Sequence, residues 1–333
     1  MTSQKAQTSA ALLCTVILGS TLWAARAPEP KPLLSNPEVA RALDAGKYAE
    51  ASEILQNMLS KNPNDAQANL WLARCFLDLG NYDQAVNYAE QAVKLAPDYS
   101  ESHLWLGRAY GIKAEKTHSF LLARKSRLEF ETAVRLDPND LLARRTLMEF
   151  YLEAPWFLGG SRDKAWAQAE AIVARNTMEG YLALADYWRQ TNEPERAAEA
   201  YQQVLNFRPR QVGPYFQVAD FYEASGNARQ LAAVVQSASL IEPSDPRLAY
   251  YRGVARVLEG RQLSEAEQNF REYLSRAPQR DDFPPHAAAH DWLGRIYERR
   301  GNMQEAIREY KTALQLSPDN QTAQDRLRRL ESN

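Results

Sequence analysis

At 333 residues, 45% of them apolar, the chain is long enough for a large core or for an array of repeated units. Only 14 Gly and 17 Pro, with 25% charged residues, exclude extensive disorder. Forty basic against 42 acidic side chains leave a formal charge of −2, which excludes a global basic field for nucleic acid.

The first element in chain order is an N-terminal segment of separate character. Lys5 precedes an uncharged run from Ala10 to Trp23 (AALLCTVILGSTLW), followed by Ala25-Arg26-Ala27 and a proline-rich stretch. A short basic start, an apolar run too short for an ordinary membrane span and a small-x-small site predict a secretory signal over residues 1–27. An uncleaved anchor is the alternative, and residues 28–36 read as a linker. Cys14 lies within the apolar run behind Leu12-Leu13, where a lipid-bearing cysteine would need a small residue before it. Removing residues 1–27 takes away Lys5 and Arg26 and no acid, moving the formal charge from −2 to −4. Cys75 is then the sole cysteine, so no intrachain disulfide can hold the mature chain together.

From residue 36 onward the sequence repeats itself. LWLARCF at 70–76, LWLGRAY at 104–110 and DWLGRIY at 291–297 each carry Trp-Leu-small-Arg followed two residues later by an aromatic. Aligning these segments also aligns their downstream residues: Gly80, Tyr82, Ala85, Ala92 and Pro97 after the first, and Gly301, Met303, Ala306, Tyr310, Ala313 and Pro318 after the last. The spacing resembles the tetratricopeptide repeat, a helix–turn–helix unit of about 34 residues with small residues where its helices cross.

That resemblance covers residues 37–320 in about eight units. The third (His103 to Pro138) and fourth (Leu147 to Ala169) are stretched, and QRDDFPPH separates the seventh from the eighth. It implies an all-α, right-handed superhelical solenoid, with 321–333 as a polar capping helix and a concave groove lined by first helices.

No catalytic constellation emerges, so no enzyme, cofactor or metal is expected. His286 and His290 have the i, i+4 spacing that seats two imidazoles on zinc, but no third ligand accompanies them. GGSRDK at 159–164 lacks the spacing of a phosphate loop and follows no strand, so its glycines read as a turn. Cys75 has no partner cysteine or adjacent histidine, which predicts a buried, inert thiol. No carboxylate pair stands out as acid and base.

The resemblance also divides each heptapeptide into two roles. Leu106, Gly107 and Tyr110, with their counterparts, fall on the packing face. Trp71, Trp105 and Trp292 fall on the groove face, each sharing it with the Arg three residues on: Arg74, Arg108 and Arg295. Arg145 would extend that basic row, and Glu149, Asp186, Asp220 and Glu223 would then turn the groove acidic. Such a lining suits an extended peptide or helix with acidic groups, with the indoles packing on neighbouring helices as the alternative. Leu70, Arg74, Trp105, Leu142 and Thr146 depart from the Lys/Asn clamp that some family members use on chaperone tails, so that specificity is not implied.

The stretches 111–127 and 153–164 are read as enlarged turns on adjacent units, meeting on one edge. There they would gather Lys113, Lys116, Arg124, Lys125, Arg127, Arg162 and Lys164 with Phe120, Trp156 and Phe157. The sequence thus predicts a non-catalytic protein-binding scaffold, exported to the periplasm or cell envelope of a bacterium. The second reading is a membrane- or glycan-surface factor acting through that basic-aromatic edge. No nucleic acid or small-molecule substrate is expected.

Overall fold

The computed structural model describes residues 36–280 and 282–332, so the proposed signal segment lies outside the described residues. Among these, seventeen α-helices and one short 3-10 turn account for the ordered structure, without strands. The helices pair in sequence: α1 Pro37–Asp44 with α2 Tyr48–Lys61, α3 Ala66–Asp78 with α4 Tyr82–Leu95, and α5 Ser100–Thr117 with α6 Phe120–Leu136. Next come α7 Leu141–Glu153 with α8 Arg162–Val173, then α9 Thr177–Gln190 with α10 Pro194–Asn206. The last three pairs are α11 Gly213–Ala224 with α12 Ala228–Ile241, α13 Arg247–Glu259 with α14 Leu263–Arg276, and α15 His286–Arg299 with α16 Met303–Leu316. Helix α17, Gln321–Glu331, comes last as the expected cap. The chain is a helical-repeat solenoid in which two compact units are distinguished, one ending at Val204 and the other beginning at Leu205.

Local chemistry sets the helix boundaries. Asp65, Asn81, Asp140, Asn176 and Asn320 each accept a backbone N–H of the next helix's first turn, supplying a partner the helix itself lacks. Within a pair, the helices cross where a glycine faces a ring. A Cβ on Gly107 would stand 2.5 Å from Phe130, and one on Gly294 the same distance from Tyr310. Phe130 and Tyr310 are fully buried, so the ring fills the space the missing side chain leaves.

Neighbouring repeats are joined by a recurrent polar tie. Tyr110, Tyr151 and Tyr297 each donate their hydroxyl to a glutamate on the preceding repeat's second helix: Glu90 at 2.5 Å, Glu131 at 2.8 Å and Glu267 at 2.5 Å. Sequence spacing assigns these tyrosines to packing alone. Each ring is buried while its oxygen finds an acceptor, as a buried phenol requires.

The stretched third repeat does not enlarge its turn. Helices α5 and α6 are 18 and 17 residues long against 14 in both helices of the eighth repeat, so the extra residues add about one turn to each helix. Only His118 and Ser119 link them, with His118 in the left-handed region. Residues 111–127 are therefore almost wholly helix, which corrects the expected loop. The fourth repeat does have a longer connection, with a 3-10 turn at Trp156–Leu158.

Candidate functional site

The groove-face residues of the first unit lie together, but deep. Trp71, Trp105 and Arg108 are only 4%, 5% and 7% exposed. The Arg74 guanidinium carbon sits 5.3 Å from the ring centres of both Trp71 and Trp105, and Arg108 lies 4.8 Å above Trp105. Guanidinium and indole thus alternate between α3 and α5, an arrangement favoured by the ring quadrupole and strengthened by desolvation. Trp105 and Arg108 are part of the packing between repeats, the alternative that the sequence left open for the indoles, and are too buried to line an open groove. Arg74 alone among these four is half-buried.

Arg145 does not continue an open basic row. Its guanidinium pairs with Asp186 of α9 and lies 3.7 Å from Glu149. Asp186 also accepts from the Tyr201 hydroxyl at 3.2 Å and has Arg189 at 3.6 Å. Asp186 is 1% exposed, so the predicted change from basic to acidic lining is instead a buried, internally balanced network.

In the second unit the tie between first helices is built from carboxylates and ring donors. Glu223 of α11 accepts from the Tyr250 hydroxyl of α13 at 2.8 Å and from the Trp292 indole N–H of α15 at 2.9 Å. One carboxylate thereby joins three successive first helices. Beside it Tyr251 donates to Asp220, and Arg295 lies 4.0 Å over Trp292 while pairing with Asp291 at 2.8 Å. Burial pushes the Glu223 carboxyl up to about 7; the Tyr250 and Trp292 hydrogen bonds and Arg295 pull the other way, and Asp220 adds to the rise. Burial likewise raises Asp291, against the pull of Arg295 and Arg326. Sequence spacing placed Glu223 on the groove face; its bond to a residue 69 positions away carried no local signal.

The histidines are held by separate partners. His290 Nδ1 lies 2.6 Å from Glu309, and His286 Nε2 lies 3.1 Å from the Ala277 carbonyl oxygen. His103 meets Glu129 at 2.6 Å, repeating across α5 and α6 the pairing of His290 across α15 and α16. Among the described residues no group of three or more metal-ligating side chains converges. Cys75 is fully buried, and burial pushes its thiol up to about 12, as an inert core cysteine requires.

Aromatic rings of the third and fourth repeats meet at the start of α6 and the 3-10 turn. Phe120 and Phe157 meet edge-to-face at 5.7 Å, and Trp156 meets Phe157 at 5.9 Å. Trp156 is 84% exposed. Lys116 of α5, Arg124 and Lys125 of α6, and Arg162 and Lys164 of α8 are exposed as well, with Lys125 4.9 Å over Tyr110 and Lys164 5.4 Å over Tyr151.

Tetratricopeptide-repeat models match residues 42–103, in the first helix pairs, and 287–320, across the last. This is a tetratricopeptide-repeat protein. A solved tetratricopeptide-repeat protein from Parabacteroides merdae is similar over 80% of this chain and 99% of its own, with 14% identity and a TM-score of 0.51. The APC/C hetero-tetramer Cut9–Hcn1 is similar over 88% of this chain and 54% of the matched one, with 15% identity and a TM-score of 0.50. At such identities the likeness concerns the fold alone. No curated protein matches the tetratricopeptide-repeat chain in sequence. Its architecture is that of protein-interaction scaffolds, which present surfaces and in general perform no chemistry.

Proposed function

We propose that the protein is a non-catalytic adaptor of the cell envelope that holds an extended peptide or helix of a protein partner on the face formed by its first helices. The observation carrying this reading is Arg74, which is half-buried and lies over two indoles at once. Its guanidinium is thereby held in place before any partner arrives, which lowers the ordering cost of a charge-assisted bond to an acidic group. The buried Trp71, Trp105 and Arg108 serve as its support. Placement in the envelope draws on the Lys5–Ala27 segment, whose pattern is that of a secretory signal.

Site-specific photocrosslinking in the source cell tests the reading. A crosslinking side chain at position 74 is expected to capture a discrete protein partner. The same side chain at Asn87, exposed on second helix α4, is expected not to. Equal adducts from both positions, or none from position 74, would remove the groove from the proposal. For the location, a mature N-terminus at Pro28 is the expected outcome of sequencing, and a retained Met1 in a soluble pool would count against export.

A further inference from the structure

We propose that the rim formed by the third and fourth repeats is a docking surface for an anionic phospholipid membrane, with Trp156 and Phe157 entering the headgroup region. Three aromatic rings form one continuous ridge there: Phe120 against Phe157 at 5.7 Å, and Phe157 against Trp156 at 5.9 Å. Leu121, 67% exposed, begins the same helix as Phe120. An isolated exposed apolar side chain is ordinary, whereas a contiguous aromatic ridge marks a surface that is covered in use.

The ridge is built to protrude. Leu158 is buried against Ala114 and Ala123, which pins the turn to the third repeat from below. The turn closes on itself: Gly159 donates to the Trp156 carbonyl, Gly160 to the Pro155 carbonyl and Ser161 to the Tyr151 carbonyl. A Cβ on Gly160 would lie 1.7 Å from the Ala154 carbonyl oxygen, so this path exists only with glycine. Anchored below by Leu158, the connection holds the Trp156 indole 84% exposed.

Charge selects the occupant. The chain carries a formal −2, yet residues 111–128 and 153–164 hold seven basic side chains against three acidic ones. Lys113 and Arg127 are paired with Asp83 and Glu131, and Lys125 and Lys164 lie over the Tyr110 and Tyr151 rings, while all of Lys116, Arg124, Lys125, Arg162 and Lys164 remain exposed to solvent. Asp163 is the exposed acid among them. A protein partner would need a pocket shaped to these rings. A bilayer interface needs none, because indole and phenyl rings settle at headgroup level while bases attract anionic lipid. This surface is separate from the groove of Arg74, so a scaffold could hold a partner while seated on a membrane.

The test is co-sedimentation of the full chain with vesicles of phosphatidylcholine, with and without about one-third phosphatidylglycerol. Every variant keeps the apolar N-terminal segment, so its own affinity cancels in the comparison. Trp156→Ala/Phe157→Ala is expected to weaken partitioning about tenfold, and Arg124→Gln/Arg162→Gln by about tenfold or more at low salt only. Phe207→Ala, an equally exposed aromatic outside the ridge, is expected to bind as wild type. Unchanged thermal midpoints would show that these surface variants fold. Equal partitioning of the ridge variants and wild type, or equal loss in Phe207→Ala, overturns the proposal. The first of these results would leave the ridge to a protein partner.

Discussion

The two compact units place different groups at the centre of the tie between first helices. Each also holds the other's chemistry, as Arg145–Asp186 in the first and Arg295 over Trp292 in the second show. In the first, cationic guanidinium groups lie over indoles: Arg74 bridges Trp71 and Trp105, and Arg108 caps Trp105. In the second, an anion takes the central place, with Glu223 accepting from Tyr250 and Trp292. A guanidinium keeps its charge at any pH a protein survives, whereas a buried carboxylate does not. One repeat backbone therefore accommodates a tie that ignores acidity and another that responds to it. The difference arises from side chains on a single helix face, since the crossings Gly107–Phe130 and Gly294–Tyr310 are the same in both units.

The largest expected effect comes from unbalancing the first unit. Asp186→Ala would leave the buried Arg145 guanidinium without its principal counter-ion and take from Tyr201 its acceptor. Breaking a buried pair by removing one partner costs about 3–5 kcal/mol, and that loss is expected here in urea unfolding monitored at several wavelengths. Peptide-resolved hydrogen exchange should place the loss in residues 141–204 and leave residues 205–332 at wild-type protection. A loss below about 1 kcal/mol would show that Glu149 and Arg189 rebalance the network without Asp186.

Acid should separate the units by a smaller amount. An unfolded glutamate titrates near 4.5, and Glu223 in the folded chain is pushed up to about 7. Between those values the native state holds a proton that the unfolded chain has released, so Glu223 stabilises the fold on the acid side and loses that contribution as pH rises through about 7. The full swing amounts to about 3 kcal/mol at most, reduced by whatever water reaches the half-buried carboxyl. Asp291 shifts in the same direction and adds to the slope. Glu223→Gln keeps an acceptor for Tyr250 and Trp292 without the charge. It should flatten the slope between pH 5 and 8 by about 2 kcal/mol and stabilise the second unit at pH 8. An unchanged pH profile in the variant would place the titrating group elsewhere.

Sequence spacing exposed the fold because the repeated positions answer a geometric need: small residues at a crossing, a ring opposite, a turn after. It misread the third repeat because extra residues in multiples of about one helical turn keep the apolar face in phase, whether they lengthen helices or a loop. Helices α5 and α6 took the first course; the fourth repeat, with Pro155, Gly159 and Gly160, took the second. Part of the tie between repeats has a regular spacing in the sequence. Glu90 precedes Tyr110 by 20 residues and Glu131 precedes Tyr151 by 20, while Glu267 and Tyr297 are 30 apart, because QRDDFPPH lengthens the connection and Glu267 stands about one helical turn earlier on its helix. Helix-face periodicity also put Trp and Arg on one face correctly. It could not say how closely the next repeat covers that face, and this depth of burial separates Arg74 from Arg108.

The smallest expected effect comes from that separation. Arg74 is half-buried, its guanidinium shared between two rings at 5.3 Å each. Cation–π contacts at partly exposed sites contribute about 0.5–1 kcal/mol, so Arg74→Ala should lower stability by no more than about 1 kcal/mol. Arg108→Ala removes a side chain packed at 4.8 Å over Trp105 and only 7% exposed, and should cost about 2 kcal/mol, since lost stem packing adds to the lost charge contact. Raised salt should leave both differences nearly unchanged, because the ring quadrupole and the packed stem are screened less than an exposed ion pair. An Arg74→Ala loss as large as that of Arg108→Ala would make Arg74 a structural member of the stack. A small loss would instead accord with the partner-facing role proposed for Arg74.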